Sequence, residues 1–125
     1  MQRPDFDPTF WGPPTWRVMF IFAIAYPSAP DEGIRYKYKT FYESLQGVLP
    51  CHKCRRGFQE YLAKESLSHA LRSREHLIRW LVRLYNSKRP PEKALKTVDE
   101  LISLVQPDKT AGAILTQMKI KQIRF

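Results

Sequence analysis

The chain has 125 residues, of which 43% are hydrophobic and 13% aromatic, and its formal net charge at pH 7 is +9. These values are typical of one folded domain and exclude a disordered tail. The longest apolar run, residues 18–26, is shorter than the roughly 20 residues of a membrane-spanning helix. The N-terminus lacks the features of a secretory signal. We therefore expect a cytoplasmic protein.

Prolines separate segments that have helical hydrophobic periodicity. Residues 1–12 are rich in proline, and we predict an irregular arm there. Pro13 and Pro14 suit the first turn of a helix, which should extend to about Tyr26, before Pro27. This first helix is apolar nearly all round, which predicts a place in the core or at an interface between two subunits.

Two more helices are predicted on either side of Pro50. Asp31 is a good N-cap for the second helix. Its apolar stripe consists of Ile34, Tyr38, Phe41, Leu45 and Val48. The third helix is predicted over residues 51–64, and its stripe consists of Cys54, Phe58, Tyr61 and Leu62. Both stripes should face the core.

The rest of the chain predicts further helices. Ser73 can cap a fourth helix that ends before Pro90, with Leu77, Leu81, Leu84 and Tyr85 facing inward. Residues 97–100 have the form of a capping box for a short fifth helix, which carries Val98, Leu101, Ile102 and Val105 and ends at Pro107. We therefore predict an all-α fold, a four- to five-helix bundle over residues 1–106, followed by a C-terminal tail, 107–125, with a further helix from 110.

Cys51 and Cys54 are the only cysteines of the chain. They lie at the start of the predicted third helix, where the helix dipole lowers the pKa of a thiol and favours reversible disulfide formation. Cys54 is on the apolar stripe and should face inward, whereas Cys51 should be more exposed. An exposed thiol that exchanges with a partner and a buried thiol that faces a cofactor form a workable relay.

Two other roles stay open for this pair. Zinc could take both thiols and two of the three histidines, His52, His69 and His76, but six residues separate the last two where three to five is usual. The pair could also be inert and buried. A thioredoxin-type reductase is not supported, because no predicted strand precedes the motif.

Basic residues are densest over residues 51–93, with eleven Lys or Arg against four Glu. Such an excess suits an acidic partner, nucleic acid or a bound phosphate, although it is more often a solvated surface. A basic helical nucleic-acid-binding module is therefore a second hypothesis, although no recognised motif supports it. Aromatic residues can also line a slot for a planar ring; the candidates are Trp11, Trp16, Tyr26, Trp80 and Tyr85.

Five short motifs occur in order between about residues 10 and 93: Trp11-Gly12-Pro13-Pro14-Thr15-Trp16, Tyr26-Pro27, the stretch LPCHKCRR at 49–56, Trp80-Leu81 and Tyr85-Asn86. Together they resemble the ERV/ALR family of FAD-linked sulfhydryl oxidases. The small size and the stretch at residues 19–22 look most like viral members, particularly the poxvirus type. The resemblance implies a helical bundle that holds FAD, usually as a homodimer.

The same resemblance implies roles for individual residues. Cys54 would be the thiol next to the flavin and Cys51 the thiol that exchanges with substrate. Cofactor-contacting positions would be Gly12, Thr15, Trp16, Phe20, Tyr26, Tyr85 and Asn86. Phe20, Tyr85 and Arg89 replace a histidine, a histidine and an asparagine of the usual family pattern, and the family's C-terminal tryptophan-rich stretch is missing. We therefore predict from charge that Lys88, Arg89 and Lys93 hold the pyrophosphate.

The implied activity is the oxidation of protein thiols through Cys51 and Cys54, with electrons passing through FAD to oxygen and hydrogen peroxide as the product. Many family members carry a second cysteine pair that serves large substrates. Because this chain has no such pair, we expect a small redox partner protein as the donor. We also expect a homodimer with Ile21, Phe22 and Ala25 at its interface. We expect no membrane partner and no specific nucleic-acid partner. If the protein is viral, we expect it in the host cytoplasm or in the virion.

Overall fold

A computed structural model describes residues 3–90, 92–93, 96–97 and 100–101. Within these residues the chain forms five helices: α1 (Pro8–Ala25), α2 (Glu32–Val48), α3 (His52–Lys64), α4 (Leu67–Ala70) and α5 (Arg74–Ser87). The predicted all-α fold is confirmed for this part of the chain. None of these helices is both long and apolar enough to cross a membrane. The predicted boundary at residue 106 and the tail lie outside the described residues.

Helix α1 begins at Pro8 rather than at Pro13, so the prediction of an irregular arm is wrong for residues 8–12. Asp7 is the N-cap, and its side chain accepts a hydrogen bond from the backbone N–H of Thr9 at 3.0 Å. Pro13 and Pro14 lie inside the helix. Neither can donate to the carbonyl four residues earlier, so two backbone hydrogen bonds of the regular helical pattern are missing in this part of α1.

Helix α2 has the predicted start, because the Asp31 carboxylate accepts from the backbone N–H of Ile34 at 2.8 Å. Leu45 of the predicted stripe is buried, but Val48 is 63% exposed, so its inward placement is wrong. Val48 is the last residue of the helix. Tyr42, one position from the predicted stripe, is fully buried instead, and its hydroxyl donates to the Met19 carbonyl of α1 at 2.8 Å.

The predicted fourth helix is α5, and Ser73 is its N-cap as expected. The inward positions Leu77, Leu81 and Leu84 are buried. The short helix α4, which precedes α5, was not predicted. Its N-cap is Ser66, whose hydroxyl accepts a hydrogen bond from the backbone N–H of His69 at 3.1 Å. Four residues are too few to produce a hydrophobic period.

The predicted capping box is present. The backbone N–H of Thr97 donates to a Glu100 carboxylate oxygen at 3.0 Å, and the N–H of Glu100 donates to the Thr97 hydroxyl at 3.1 Å. Leu101, which follows, is buried. The other apolar positions predicted for this helix, Val98, Ile102 and Val105, lie outside the described residues.

The core is built where α2 packs on α3, and where α5 packs on both α1 and α4. Trp80 of α5 is fully buried, and three rings contact it at steep angles: Tyr42, Phe58 and Tyr61. The Tyr61 hydroxyl donates to the Trp80 carbonyl at 2.7 Å. Burial raises the pKa of the Tyr42 and Tyr61 phenols well above the usual range, so both stay neutral donors.

Candidate active site

A cavity of about 1130 Å³ opens between α1, α3 and the C-terminal end of α5. Cavities that hold small molecules usually measure about 300–1,000 Å³, so this one has room for a ligand as large as a dinucleotide. Four of the predicted site residues on α1 and α3 line it, namely Gly12, Thr15, Trp16 and Cys54, and so do two at the end of α5, Tyr85 and Lys88.

Cys51 and Cys54 form a disulfide at the start of α3. Cys51 is the N-cap of this helix, and its Sγ accepts from the backbone N–H of Cys54 at 3.2 Å. The side chain of Arg55 donates to the Leu49 carbonyl at 2.6 Å, which holds the preceding loop against the helix. Both sulfurs therefore lie at the positive end of the α3 dipole, where a thiolate is stabilised.

The exposure of the two sulfurs is the reverse of the prediction. Cys51 is buried, with 8% of its surface exposed, whereas Cys54 is partly exposed. Cys54 is exposed because it lines the cavity, and Cys51 is not part of that lining. The loop of Cys51 is covered instead by the residues before α1, since the N–H of Phe6 donates to the Pro50 carbonyl at 2.8 Å.

An aromatic pair joins two walls of the cavity. Trp16 of α1 and Tyr85 of α5 meet edge to face, with ring centroids 5.0 Å apart, and both are half-buried. Trp11 lines the cavity too. The other two aromatic candidates, Tyr26 and Trp80, are fully buried in the core and do not line it.

Two glycines shape the walls. A Cβ added at Gly12 would meet no atom within 4 Å, so the residue leaves open space on the cavity side of α1. A Cβ added at Gly57 would lie 2.8 Å from the Lys88 ammonium. The absence of a side chain at Gly57 thus lets the Lys88 side chain, directly after α5, rest against α3.

The cavity is positively charged. Four cationic side chains line it, Arg17, Lys53, Arg56 and Lys88, against one carboxylate, Glu60. Such a set suits a ligand that carries phosphates. Arg17 and Arg56 were not predicted as site residues. Lys53, Arg56 and Glu60 are three or four positions apart, so they share one face of α3 close to Cys54, and this spacing could have identified Arg56 from the sequence.

The structure does not bring the remaining predicted cofactor residues into the cavity wall. Phe20 is fully buried, 6.2 Å from the Trp16 ring between centroids, and the Tyr26 hydroxyl donates to the Leu71 carbonyl at 2.6 Å. The Asn86 amide donates to the Lys96 carbonyl at 3.1 Å and accepts from the N–H of the same residue at 2.9 Å. Arg89 and Lys93 do not line the cavity either.

His69 and His76, which the zinc alternative would use as ligands, lie together, away from this lining. A nitrogen of the Arg72 guanidinium is 2.9 Å from Nε2 of His69 and 3.0 Å from Nε2 of His76. Because a guanidinium only donates, both Nε2 atoms accept, as in neutral imidazoles. Within the described part of the chain, no group of three or more His, Cys, Asp or Glu residues is placed to hold a metal ion.

Comparison with known proteins identifies a family and two similar viral proteins. The Erv1/Alr family model matches residues 13–90. A probable FAD-linked sulfhydryl oxidase of Acanthamoeba polyphaga mimivirus is 38% identical over 81 residues, which cover 64% of this chain and 57% of that protein. A FAD-linked sulfhydryl oxidase of African swine fever virus, isolate Warthog/Namibia/Wart80/1980, is 31% identical over 83 residues, covering 62% of this chain and 63% of that protein.

The chain thus spans less than two thirds of the length of these two viral relatives. Among solved structures, the crystal structure of the yeast Erv1 core superposes with a TM-score of 0.62 and 21% identity, covering 98% of this chain and 93% of that one. This likeness supports the helical fold.

Proposed function

Because the chain belongs to the Erv1/Alr family, we propose that it is a FAD-dependent thiol oxidase that makes disulfides in protein substrates. One observation carries the proposal: Cys54 lines the large cavity, while its disulfide partner Cys51 lies outside that lining. A pair with one sulfur at a cofactor cavity and the other beyond it can transfer electrons from a substrate to a cofactor. The names of the two viral relatives agree with this activity.

The cavity residues fit FAD. Trp16 and Tyr85 line the cavity with aromatic rings, against which a planar ring system can pack, and the open space beside Gly12 leaves room for it. Lys53, Arg56 and other cations of the lining suit the pyrophosphate. Bound there, FAD would accept the two electrons of the thiol pair and transfer them to oxygen, which is reduced to hydrogen peroxide.

The residues of the chain account for the thiol exchange. A substrate thiolate attacks Sγ of Cys51, so a substrate–Cys51 bond forms, the Cys51–Cys54 bond breaks, and the electron pair leaves on Cys54. The start of α3 and the nearby Lys53 and Arg56 stabilise that thiolate. A second substrate thiolate then attacks the substrate sulfur of the mixed disulfide, which releases the oxidised substrate and leaves Cys51 reduced.

The electron donor that we propose is a small redox partner protein. The chain contains no cysteine besides Cys51 and Cys54, so no second thiol pair of this chain can relay electrons from a bulky folded substrate. A small protein that carries its own thiol pair can approach Cys51 directly. Because oxygen is the final acceptor, such a reaction can make disulfides even in a reducing cytosol, where we propose that the protein works.

We further propose a homodimer formed through α1. Val18, Ile21, Phe22 and Ala25 recur at helical spacing and are all exposed, the first three by 41–43%. A contiguous apolar stripe of this kind is typical of an interface with another chain. Sedimentation equilibrium should give a dimer for the wild type and a monomer for Ile21→Glu. The control Val48→Glu, at an exposed position of α2, should stay dimeric. A monomeric wild type would overturn the proposal.

The activity can be tested on the purified protein. We expect a yellow protein with a flavin absorption spectrum that consumes oxygen when a dithiol is added. Cys54→Ser and Cys51→Ser should each abolish turnover with a protein dithiol, because each breaks the relay at one sulfur. Ser44→Ala, which alters an exposed hydroxyl of α2, is a control that should retain full turnover.

A colourless protein that consumes no oxygen would contradict the proposal. Nucleic-acid binding, the rival hypothesis, predicts a different pattern, since strongly salt-dependent binding would survive both cysteine substitutions. Measuring binding and turnover on the same variants therefore separates the two functions.

A further inference from the structure

The segment before α1 crosses the loop that carries Cys51. We call residues 3–7 the N-terminal arm. The backbone N–H of Phe6 donates to the Pro50 carbonyl at 2.8 Å, and the Asp5 carboxylate accepts from the backbone N–H of His52 at 3.0 Å. The two hydrogen bonds therefore hold the residues directly before and after Cys51.

Two further contacts hold the arm at its ends. The Arg3 guanidinium donates to the Gly47 carbonyl at the end of α2, and the Trp11 indole donates to the Phe6 carbonyl at 2.9 Å. All five arm residues are exposed, so the arm is a single layer of chain over the loop. Hydrogen bonds at an exposed position contribute little net free energy, because water can replace each partner.

Beneath this layer, only 8% of Cys51 is exposed. Thiol–disulfide exchange needs the attacking thiolate to reach the sulfur itself, and a sulfur of a protein substrate brings a bulky chain with it. The burial of Cys51 thus conflicts with its proposed role unless the layer above it can move.

We propose that the N-terminal arm is a displaceable strap over Cys51, and that it must leave the loop before a protein thiol can attack. This inference rests on the proposed function, in which Cys51 is the sulfur that exchanges with substrate. When the strap leaves, the Pro50 carbonyl and the His52 N–H are freed together with Cys51. The strap hinders a bulky thiol more than a small one, because a small reagent needs a smaller opening.

Asp5 has a second effect that the test must separate. Its carboxylate lies at the start of α3, so removing the charge lowers the pKa of a Cys51 thiol as well as freeing the strap. A lower thiol pKa increases the thiolate fraction near neutral pH, but it makes the thiolate itself a weaker nucleophile. At the high-pH plateau, where the thiol is fully ionised, a lower pKa can therefore only reduce the rate, so a rise in the plateau rate reports better access.

The experiment measures alkylation of Cys51 in a Cys54→Ser background, where it is the only thiol. Iodoacetamide and an iodoacetamide carried on a polyethylene glycol chain serve as the small and the bulky reagent, each across a pH series. Asp5→Ala removes one strap contact. Phe6→Pro removes the N–H that donates to Pro50 and keeps the charge of Asp5. Asp31→Ala is the matched control, since the Asp31 carboxylate, like that of Asp5, accepts a backbone N–H at the start of a helix, but does so at α2.

We expect both strap variants to raise the plateau rate for the bulky reagent by about twofold to fivefold, the range expected from the loss of one solvent-exposed hydrogen bond, and to raise it less for iodoacetamide. Asp31→Ala should leave both plateau rates unchanged. Plateau rates in both strap variants equal to that of the control would overturn the proposal, including the case in which Asp5→Ala changes only the thiol pKa.

This test needs neither flavin nor turnover, so it can fail independently of the proposed function. A protein that does not oxidise thiols can still show faster alkylation in the strap variants. Conversely, an active oxidase can show the same alkylation rate in the strap variants as in the control.

Discussion

Trp16 and Tyr85 meet edge to face across the cavity, with ring centroids 5.0 Å apart, and so connect α1 to the end of α5. Both rings line the cavity that holds Cys54 in its wall. The pair therefore links the packing of two helices to the shape of the proposed flavin site.

The first prediction concerns Tyr85. Tyr85→Ala removes one ring of this pair and with it part of the cavity wall. An aromatic contact with a bound ring contributes about 1 kcal/mol to the free energy of binding. We expect flavin affinity to fall by roughly fivefold, measured by titrating the flavin-free protein with FAD and following fluorescence. Tyr36→Ala, at a ring that is 72% exposed on α2, should leave the affinity unchanged. Equal affinities in the two variants would show that the Tyr85 ring does not contact the cofactor.

A second prediction uses the open space beside Gly12. In Gly12→Leu the new side chain would extend into the cavity, since its Cβ meets no atom within 4 Å. We expect a folded protein that is purified without flavin. Gly47→Leu is the matched control, because Gly47 is an exposed helical glycine whose Cβ would also meet nothing within 4 Å, and it should keep its flavin. Full flavin content in Gly12→Leu would place the cofactor elsewhere.

The third prediction is a pH dependence of stability at His76. Burial, with the neighbouring Arg72 guanidinium and His69, lowers the pKa of His76 below its usual 6.5. The unfolded chain therefore binds more protons at this site than the folded chain as the pH falls through about 6.5, and the folded state loses stability. We expect the free energy of unfolding to fall from pH 7.5 to pH 5, and to fall less in His76→Gln.

His52→Gln is the control for this measurement, since the His52 side chain is exposed at the start of α3. It should retain the wild-type difference in stability between the two pH values. A slope in His76→Gln as steep as that of the wild type would assign the pH dependence to other groups.

The fourth prediction concerns a buried hydroxyl. Tyr61→Phe removes the buried hydrogen bond to the Trp80 carbonyl, which is 2.7 Å long, and leaves the ring packing in place. We expect the free energy of unfolding, measured by urea denaturation, to fall by about 1 kcal/mol. Tyr36→Phe, at an exposed ring, should change it by less than about 0.5 kcal/mol. A Tyr61→Phe protein as stable as this control would contradict the assigned role.

Local signals in the sequence predicted most of the fold. Asp31, Ser73 and the box formed by Thr97 and Glu100 were identified because a capping side chain acts within three residues of itself. The start of α1 was missed because a pair of prolines suits a first turn better than a helix interior. Here Asp7 and Pro8 supply the actual start, and the later prolines are tolerated inside the helix.

The site was harder to predict than the fold. Helical spacing correctly brought Phe58 and Tyr61 to the core, but it could not distinguish a sulfur facing the core from one facing a cavity at the edge of the core. The residues on either side of Cys51, Pro50 and His52, are hydrogen-bonded to Phe6 and Asp5, more than forty positions away in the chain. Periodicity within one helix carries no information about such distant partners.

The sulfur of Cys51 is bonded to Cys54 and also accepts that residue's backbone N–H. A thiolate is at least as good an acceptor for this N–H as a disulfide sulfur, so we expect α3 to keep its first turn when the pair is reduced. The start of α3 then needs no refolding between the two oxidation states, and the movement that the proposed thiol exchange requires is left to the N-terminal arm above it.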